Sequence, residues 1–297
     1  MKTVDKIIFN DKEYNKLYNG YELLFEVKRE VEWKGLTFTA LEPSTILYKP
    51  STVSTAQYSY DTVNWKTADN VTLNLSKGDK IYFKGNIVGD QSKDDYAHFT
   101  MTGKIAASGS IMSLQAGNTQ DKSLKYKYEF YNLFIRCTSI VTAPELPAIT
   151  LIEHCYDSMF EYCSSIVTAP ELPATTLKDW CYMDMFSDCT SLIKAPELPA
   201  TTLAYRCYGG MFYNCTSLVT APVLPATKLV SLCYAHIFAY CYNLNYVKCD
   251  AREYNSDYFY MWVKDITTTG DFYCYDASIF QTGTSGIPSG WTVHSEV

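Results

Sequence analysis

Cysteine is the most conspicuous reactive side chain of this 297-residue sequence, with 11 copies against four histidines. Nine of the cysteines form two series with a step of 26 residues: Cys137, Cys163, Cys189, Cys215 and Cys241, and Cys155, Cys181, Cys207 and Cys233. Metal sites need ligands at short, convergent spacings, and the sequence contains no Cys-x-x-Cys pair. Because core thiols behave as small apolar groups, we expect a buried ladder of reduced thiols and neither metal nor cofactor. Disulfide bonds are the alternative.

The carboxylates and hydroxyls form no catalytic pattern. Glu145, Glu171 and Glu197 share one 26-residue series, and on neighbouring strands they would repel each other unless they are solvated or bridged by a cation. We expect a solvated acidic strip, with a cation site as the alternative. There is no Gly-x-Ser-x-Gly elbow, no phosphate-binding glycine loop and no identifiable carboxylate pair for glycoside hydrolysis. The sequence therefore predicts a protein that is not an enzyme.

The most promising binding residues lie where the repeats differ from one another. Two short slots change from unit to unit and contain amphipathic side chains of the types that are enriched at recognition surfaces. We take six of them as a candidate recognition surface: Tyr162, Trp180, Tyr205, Arg206, Tyr213 and Tyr240. Stacking of sugars on these aromatic rings is one hypothesis, and simple sequence drift at exposed positions is the alternative.

These residues are positioned by a repeat of 26 residues. The string APELPA begins at residues 143, 169 and 195, and APVLPA follows at residue 221. Within one unit, Leu192 and Leu198 predict a short strand ended by proline, which lacks the N–H donor. Leu203, Cys207 and Met211 lie four residues apart and predict one apolar face of a helix. Stacked units should form ladders of equivalent side chains: Phe160, Phe186 and Phe212, and Cys163, Cys189 and Cys215.

A period of 26 residues lies in the range of leucine-rich repeats, so the predicted fold class is an α+β leucine-rich-repeat solenoid. The N-terminal parts have the alternating patterns and turn residues of strands. We divide the chain into an N-terminal β arm or anchor, a β-sandwich-like domain, the repeats and a C-terminal cap, at residues 1–32, 33–125, 126–248 and 249–297.

Charge and hydropathy exclude several classes of partner. The formal net charge is −7, and residues 131–297 hold eight Lys or Arg against 16 Asp or Glu. Nucleic acid is therefore an unexpected partner, because phosphate binding needs clustered basic residues. No apolar run is long enough for a membrane span, and we expect neither membrane insertion nor a signal for secretion.

The repeat unit MFxxCTSLxxAPELPATTLxxxCY resembles the BspA-like leucine-rich repeats of Bacteroides surface proteins and of phages that infect these bacteria. The resemblance covers residues 126–248 and extends to the C-terminal GTSGIPSGWTV segment. The resemblance implies a binding role, although this repeat serves many functions. With no export signal expected, we predict a virion fibre, appendage or decoration protein of such a phage. Its β arm would contact other virion proteins, its repeats would bind a host-surface glycan or protein, and it would form a homo-oligomer. The alternative is a bacterial cell-surface adhesin.

Overall fold

The regular secondary structure of the chain is almost entirely β, with 26% of residues in strands and 3% in helices. The strands form several small sheets. This computed structural model describes residues 2–9, 12–19, 22–30 and 33–297. The prediction of an α+β leucine-rich-repeat solenoid is therefore wrong. The error originates in the repeats, where the segment predicted to be helical forms a different structure.

The first sheet lies within the predicted N-terminal arm. Its three antiparallel strands are β1 (Lys2–Phe9), β2 (Lys12–Asn19) and β3 (Glu22–Glu30), in the order β1-β2-β3. Strand β1 pairs with β2, for example at Phe9 and Lys12. Strand β2 pairs with β3, for example at Lys12 and Glu30. The arm is thus a short meander with its own sheet.

Residues 33–125 form two sheets that share a core. The strands are β4 (Thr37–Ala40), β5 (Ser44–Lys49), β6 (Ser54–Ser59), β7 (Lys66–Thr67), β8 (Thr72–Leu75), β9 (Lys80–Ile87), β10 (His98–Thr102) and β11 (Ile105–Ser108). One sheet has the order β10-β5-β8 and the other contains β11-β4-β9-β6-β7. Phe38 and Phe83 from one sheet pack edge-to-face on Phe99 from the other. The ring centroid of each lies 5.2 Å from that of Phe99. Buried residues alternate with more accessible ones in β5, as expected for a strand with one face on the core.

The two-sheet unit covers one end of the repeats directly. Strand β11 pairs in parallel with β12 (Ile140–Thr142) of the first unit. A short 3-10 helix, Ile111–Leu114, follows β11, and the backbone N–H of Ile111 donates to the carbonyl of Glu145. Phe99 stacks on Phe134 with a centroid distance of 5.4 Å, so one aromatic core runs from the sheets into the repeats.

In each repeat, the predicted helix is instead a ribbon of successive four-residue turns. Every fourth residue has a left-handed backbone, for example His154, Ser158 and Tyr162 with φ of 57°, 54° and 61°. Alternate N–H groups donate to the carbonyl three residues back, as Met159 does to Tyr156. The others donate to the next unit, as Phe160 does to Met185 over 3.0 Å. The ribbon thus satisfies its own turns and also bonds each unit to its neighbour.

The apolar pattern of the repeat explains why a helix is the wrong prediction. Leu203, Cys207, Met211 and Cys215 are all buried and are spaced by four residues each time. In a helix with 3.6 residues per turn, such a row drifts by about 40° at each step. A chain of four-residue turns keeps the same row on one face without drift.

Equivalent side chains of successive units lie on top of each other. The rings of Phe134, Phe160, Phe186, Phe212 and Phe238 stack with centroid distances of 5.3 to 5.9 Å and interplanar angles of 2° to 9°. Beside them, the thiols of Cys163, Cys189, Cys215 and Cys241 each donate to a phenylalanine carbonyl of the preceding unit, over 3.0 to 3.2 Å. Each of these carbonyls already accepts the backbone N–H three residues later, as Phe160 does from Cys163, so the thiol is its second donor and ties one unit to the next.

After β12, the proline-containing half of the units forms isolated parallel bridges, such as Thr168 with Lys194 and Thr176 with Thr202. Regular pairing resumes after the last unit in the parallel strands β13 (Tyr246–Cys249), β14 (Asp271–Cys274) and β15 (Thr292–Ser295). A second 3-10 helix spans Ala277–Ile279. Trp262, which is fully buried, packs on Phe238 and covers this end of the phenylalanine column.

Candidate recognition face

Each turn ribbon has an inner and an outer face, because two consecutive residues lie on one side of the ribbon and the next two lie on the other. In the unit of residues 153–163, the pairs Cys155–Tyr156 and Met159–Phe160 are fully buried. The intervening pairs, Asp157–Ser158 and Glu161–Tyr162, lie on the other side of the ribbon. The same arrangement recurs 26 residues later in each unit. We call the combined outer side, from residues 153–162 to residues 231–240, the turn face.

All six candidate recognition residues lie on the turn face. Tyr162 is 40% exposed, and the other five are partly buried: Trp180, Tyr205, Arg206, Tyr213 and Tyr240. Trp180 contacts Tyr205 edge-on at 4.9 Å, and Tyr213 contacts Tyr240 edge-on at 5.0 Å. Four of the six residues thus form two contacting pairs on one surface, while the role of all six in recognition stays a prediction.

Three of the six line a cleft in the turn face that has a volume of about 360 Å³. Tyr162, Arg206 and Tyr213 contribute to its walls, together with Tyr260 from beyond the repeats. Trp180, Tyr205 and Tyr240 are not part of its lining. Because its residues come from successive units, the cleft exists only when the units are stacked.

The floor of the cleft contains a carboxyl group whose ionisation is opposed by its surroundings. Burial and the nearby charges of Glu161 and Asp157 raise the pKa of Asp184 to about 7, against the opposing effect of Arg206. Burial likewise raises the pKa of Glu161 above its usual range. The side chain of Asp184 has no hydrogen-bond donor among residues 33–297. It is available to accept a hydrogen bond from a ligand.

A glycine makes room for this carboxyl group. Gly210 occupies the left-handed position equivalent to Asp184 in the next unit, with φ of 61°. A Cβ atom at Gly210 would lie 2.0 Å from Oδ1 of Asp184, which no real contact permits. Gly210 therefore both adopts the turn geometry without strain and leaves space for the carboxyl group above it.

Two nitrogen atoms near the cleft also lack partners within the described part of the chain: Nε of Arg206 and Nδ1 of His236. Burial, with the charges of Arg206 and Lys264, lowers the pKa of His236 below its usual range, so its ring is neutral at pH 7. By contrast, Asp188 is already engaged, because its Oδ1 accepts a hydrogen bond from Nδ2 of Asn214 over 2.6 Å. The cleft thus combines an unpartnered carboxyl group with two buried nitrogen atoms that lack partners within the described residues.

The sequence patterns do not single out Asp184, Gly210 and His236, which matter most to the shape and polarity of the cleft. They belong to a 26-residue series that the structure places at left-handed backbone positions, namely Asn132, Ser158, Asp184, Gly210 and His236. Four of these five residue types, all except serine, are among those that tolerate positive φ best. That shared tolerance is the signal by which the series could be found.

The other candidate sites of the sequence hold no comparable arrangement. All 11 cysteines are buried free thiols, and burial raises the pKa of the ladder thiols, which keeps them protonated. Over residues 33–297, no group of three or more His, Cys, Asp or Glu side chains could hold a metal ion. Glu145, Glu171 and Glu197 are exposed. Among the described helices, none is long and apolar enough to cross a membrane.

No protein-family model, curated protein or solved structure matches the chain. The resemblance to BspA-like repeats therefore depends on the sequence motifs alone.

Proposed function

We propose that this chain is a non-enzymatic adhesion protein that binds a ligand on the turn face of its repeats. One observation carries the proposal: six variable side chains with the chemistry of binding surfaces are brought to the same face by a framework of invariant inner columns. Framework and recognition residues are separated on opposite sides of each ribbon. Such a separation lets the surface change without disturbing the core.

The backbone conformation supports the same proposal. Tyr162, Trp180 and Tyr240 have left-handed φ of 61°, 55° and 63°. A left-handed backbone costs an ordinary side chain on the order of 1–2 kcal/mol, and glycine or asparagine would adopt it more easily. Residues in strained conformations persist where the surrounding structure determines them, and they cluster at functional sites. Bulky aromatic residues at these positions therefore favour recognition over drift.

We further propose that the protein acts as part of a phage particle, as the resemblance to repeats of Bacteroides phages suggests. The β1–β2–β3 meander would contact other virion proteins, and the repeats would face outward. Mass spectrometry of purified particles tests this location. We expect the chain among the particle proteins. Its absence from particles and presence in the bacterial envelope would support the cell-surface adhesin instead.

Adhesion is tested with the full-length protein, a fluorescent label and intact Bacteroides cells in flow cytometry. The variant Tyr162→Asn/Trp180→Asn/Tyr240→Asn removes three turn-face rings and substitutes a residue that tolerates left-handed φ. The control Tyr60→Ala removes a 51% exposed tyrosine from the two-sheet unit. We expect the triple variant to lose cell binding and the control to retain it. Equal binding by the triple variant and the wild type would contradict the proposal.

A further inference from the structure

We infer that the cleft of the turn face binds an uncharged saccharide, held between Tyr162 and Tyr213 and hydrogen-bonded by Asp184 and Arg206. This inference depends on the proposed adhesion function, because it names the ligand class of the same face. It is carried by the shape of the cleft, its unpartnered polar atoms and its charge.

The walls of the cleft contain tyrosine rings that are accessible to a ligand. Tyr162, Tyr213 and Tyr260 line it, and Tyr260 is 46% exposed. Small-molecule sites combine such rings with a few polar groups that fix the orientation of the ligand. The edge-on contact of Tyr213 with Tyr240 holds one of these rings in place. A pyranose ring has C–H groups on its faces that pack against aromatic rings of this kind.

The polar groups require a ligand that both donates and accepts hydrogen bonds. The carboxyl group of Asp184 and the guanidinium of Arg206 both line the cleft, where the carboxyl group needs a donor and the guanidinium, whose buried Nε has no partner, needs an acceptor. The neutral ring of His236 can do either, depending on its tautomer. A hydroxyl group is one donor and two acceptors, so adjacent hydroxyl groups of a sugar match this set. A purely apolar ligand would leave these groups without hydrogen-bond partners.

The charge of the lining selects among sugars. Glu161, Asp184 and Asp188 line the cleft, and Arg206 is the single Lys or Arg of its lining. A sialic acid or uronic acid would bring its carboxylate against these three carboxyl groups and is disfavoured. A basic peptide would bring its positive charges against the guanidinium of Arg206. An uncharged sugar avoids both conflicts.

The experiment uses the full-length protein on an array of neutral oligosaccharides of glucose, mannose, galactose and N-acetylglucosamine, together with sialylated and uronate-containing oligosaccharides. The strongest neutral oligosaccharide is then titrated in solution by calorimetry. We expect binding to neutral glycans only. Arg206→Asn and Tyr213→Ala should each raise the dissociation constant at least tenfold, because each removes a side chain that lines the cleft. Both variants should fold, because both side chains are on the outer face and asparagine tolerates the left-handed backbone at residue 206. Tyr60→Ala is the control and should bind as the wild type does.

Two results would overturn the inference: preference for acidic glycans, or neutral binding that Arg206→Asn and Tyr213→Ala leave unchanged. A third result separates it from the proposed function. If no glycan on the array binds, but the triple turn-face variant still abolishes cell binding, the saccharide inference fails and adhesion through the turn face stands. If cell binding is insensitive to the triple variant, the proposed function fails first.

Discussion

The inner and outer faces of the turn ribbons share one backbone but accept substitutions very differently. On the inner face, Phe160, Phe186 and Phe212 repeat without change, because each ring packs on an identical ring in the units before and after it. On the outer face, the equivalent positions of Trp180 are His154 and Arg206. Stacking identical units thus restricts the inside, while the outside can acquire a binding site. The two faces should respond differently to mutation.

The largest difference is expected for removal of an inner ring. Phe186→Ala leaves a cavity between Phe160 and Phe212, and truncation of a buried phenylalanine costs about 3–5 kcal/mol. Chemical denaturation followed by circular dichroism measures the loss. Trp180→Asn on the outer face is the matched comparison and should change the free energy of unfolding by much less. Similar losses for both variants would mean that the two faces are not energetically distinct.

A second contrast concerns charge on the outer face. The pKa of Asp184 is raised from 3.8 to about 7 in the folded protein, so the carboxylate form destabilises the fold. Stability contributed by this group is present below about pH 4 and is lost as the pH rises towards 7. Asp184→Asn should therefore stabilise the protein at pH 8 by about 1–2 kcal/mol, a discounted fraction of about 1.4 kcal/mol per pKa unit.

The same substitution should have little effect at pH 4, where the carboxyl group is already neutral. The groups that set this behaviour, apart from burial, are the charges around it: Asp157, Glu161, Asp188 and Arg206. Glu197→Gln is the control, since Glu197 is exposed in the proline-containing half of a repeat and is not one of these groups. A stabilisation by Asp184→Asn that does not depend on pH would argue against a buried, charged carboxylate.

Sequence patterns predicted the inner face better than the outer one, for a physical reason. The 26-residue columns follow directly from stacking, so Phe160, Phe186 and Phe212 could be placed in one ladder before any coordinates. The helix was predicted wrongly because Leu203, Cys207 and Met211 match both a helical face and a row of four-residue turns. Their continuation to Cys215 at the same spacing distinguishes the two. Turn geometry depends on φ at single residues, which apolar periodicity does not report.

The cleft was harder to predict than the residues around it. Tyr162, Arg206 and Tyr213 have side chains that suggest recognition by their type alone. Asp184 and Gly210 become important only because one lies above the other in successive units, where the glycine leaves space for the carboxyl group. Such a pair is invisible until the register of the units is known.

A third prediction concerns a polar atom on the inner face. Tyr182 is buried in a column with Tyr156 and Tyr208, and its hydroxyl group has no hydrogen-bond partner within the described structure. Phenylalanine occupies the two ends of the same column, at Phe130 and Phe259. Tyr182→Phe should therefore stabilise the protein by about 1 kcal/mol, since an unsatisfied buried hydroxyl group is costly.

Thermal and chemical unfolding measure this gain, and Tyr205→Phe on the outer face should leave the stability unchanged. A loss of stability in Tyr182→Phe would instead indicate that the hydroxyl group is satisfied, for example by an internal water molecule. The inner face would then contain a polar column as well as apolar ones.

The smallest expected effect tests the backbone of the outer face. Tyr162 has a φ of 61° and is 40% exposed, so its side chain contributes little packing while its backbone is strained. Tyr162→Asn should keep the free energy of unfolding within about 0.5 kcal/mol, because asparagine accepts left-handed φ. Tyr162→Val should lose about 1 kcal/mol, because a β-branched residue is a poor fit there. Tyr205 provides the control, because it precedes the left-handed residue Arg206 and does not itself have a positive φ. Its valine variant should have a free energy of unfolding no lower than that of its asparagine variant. If valine and asparagine were equally tolerated at residue 162, the outer face would not have the turn geometry that brings its side chains together.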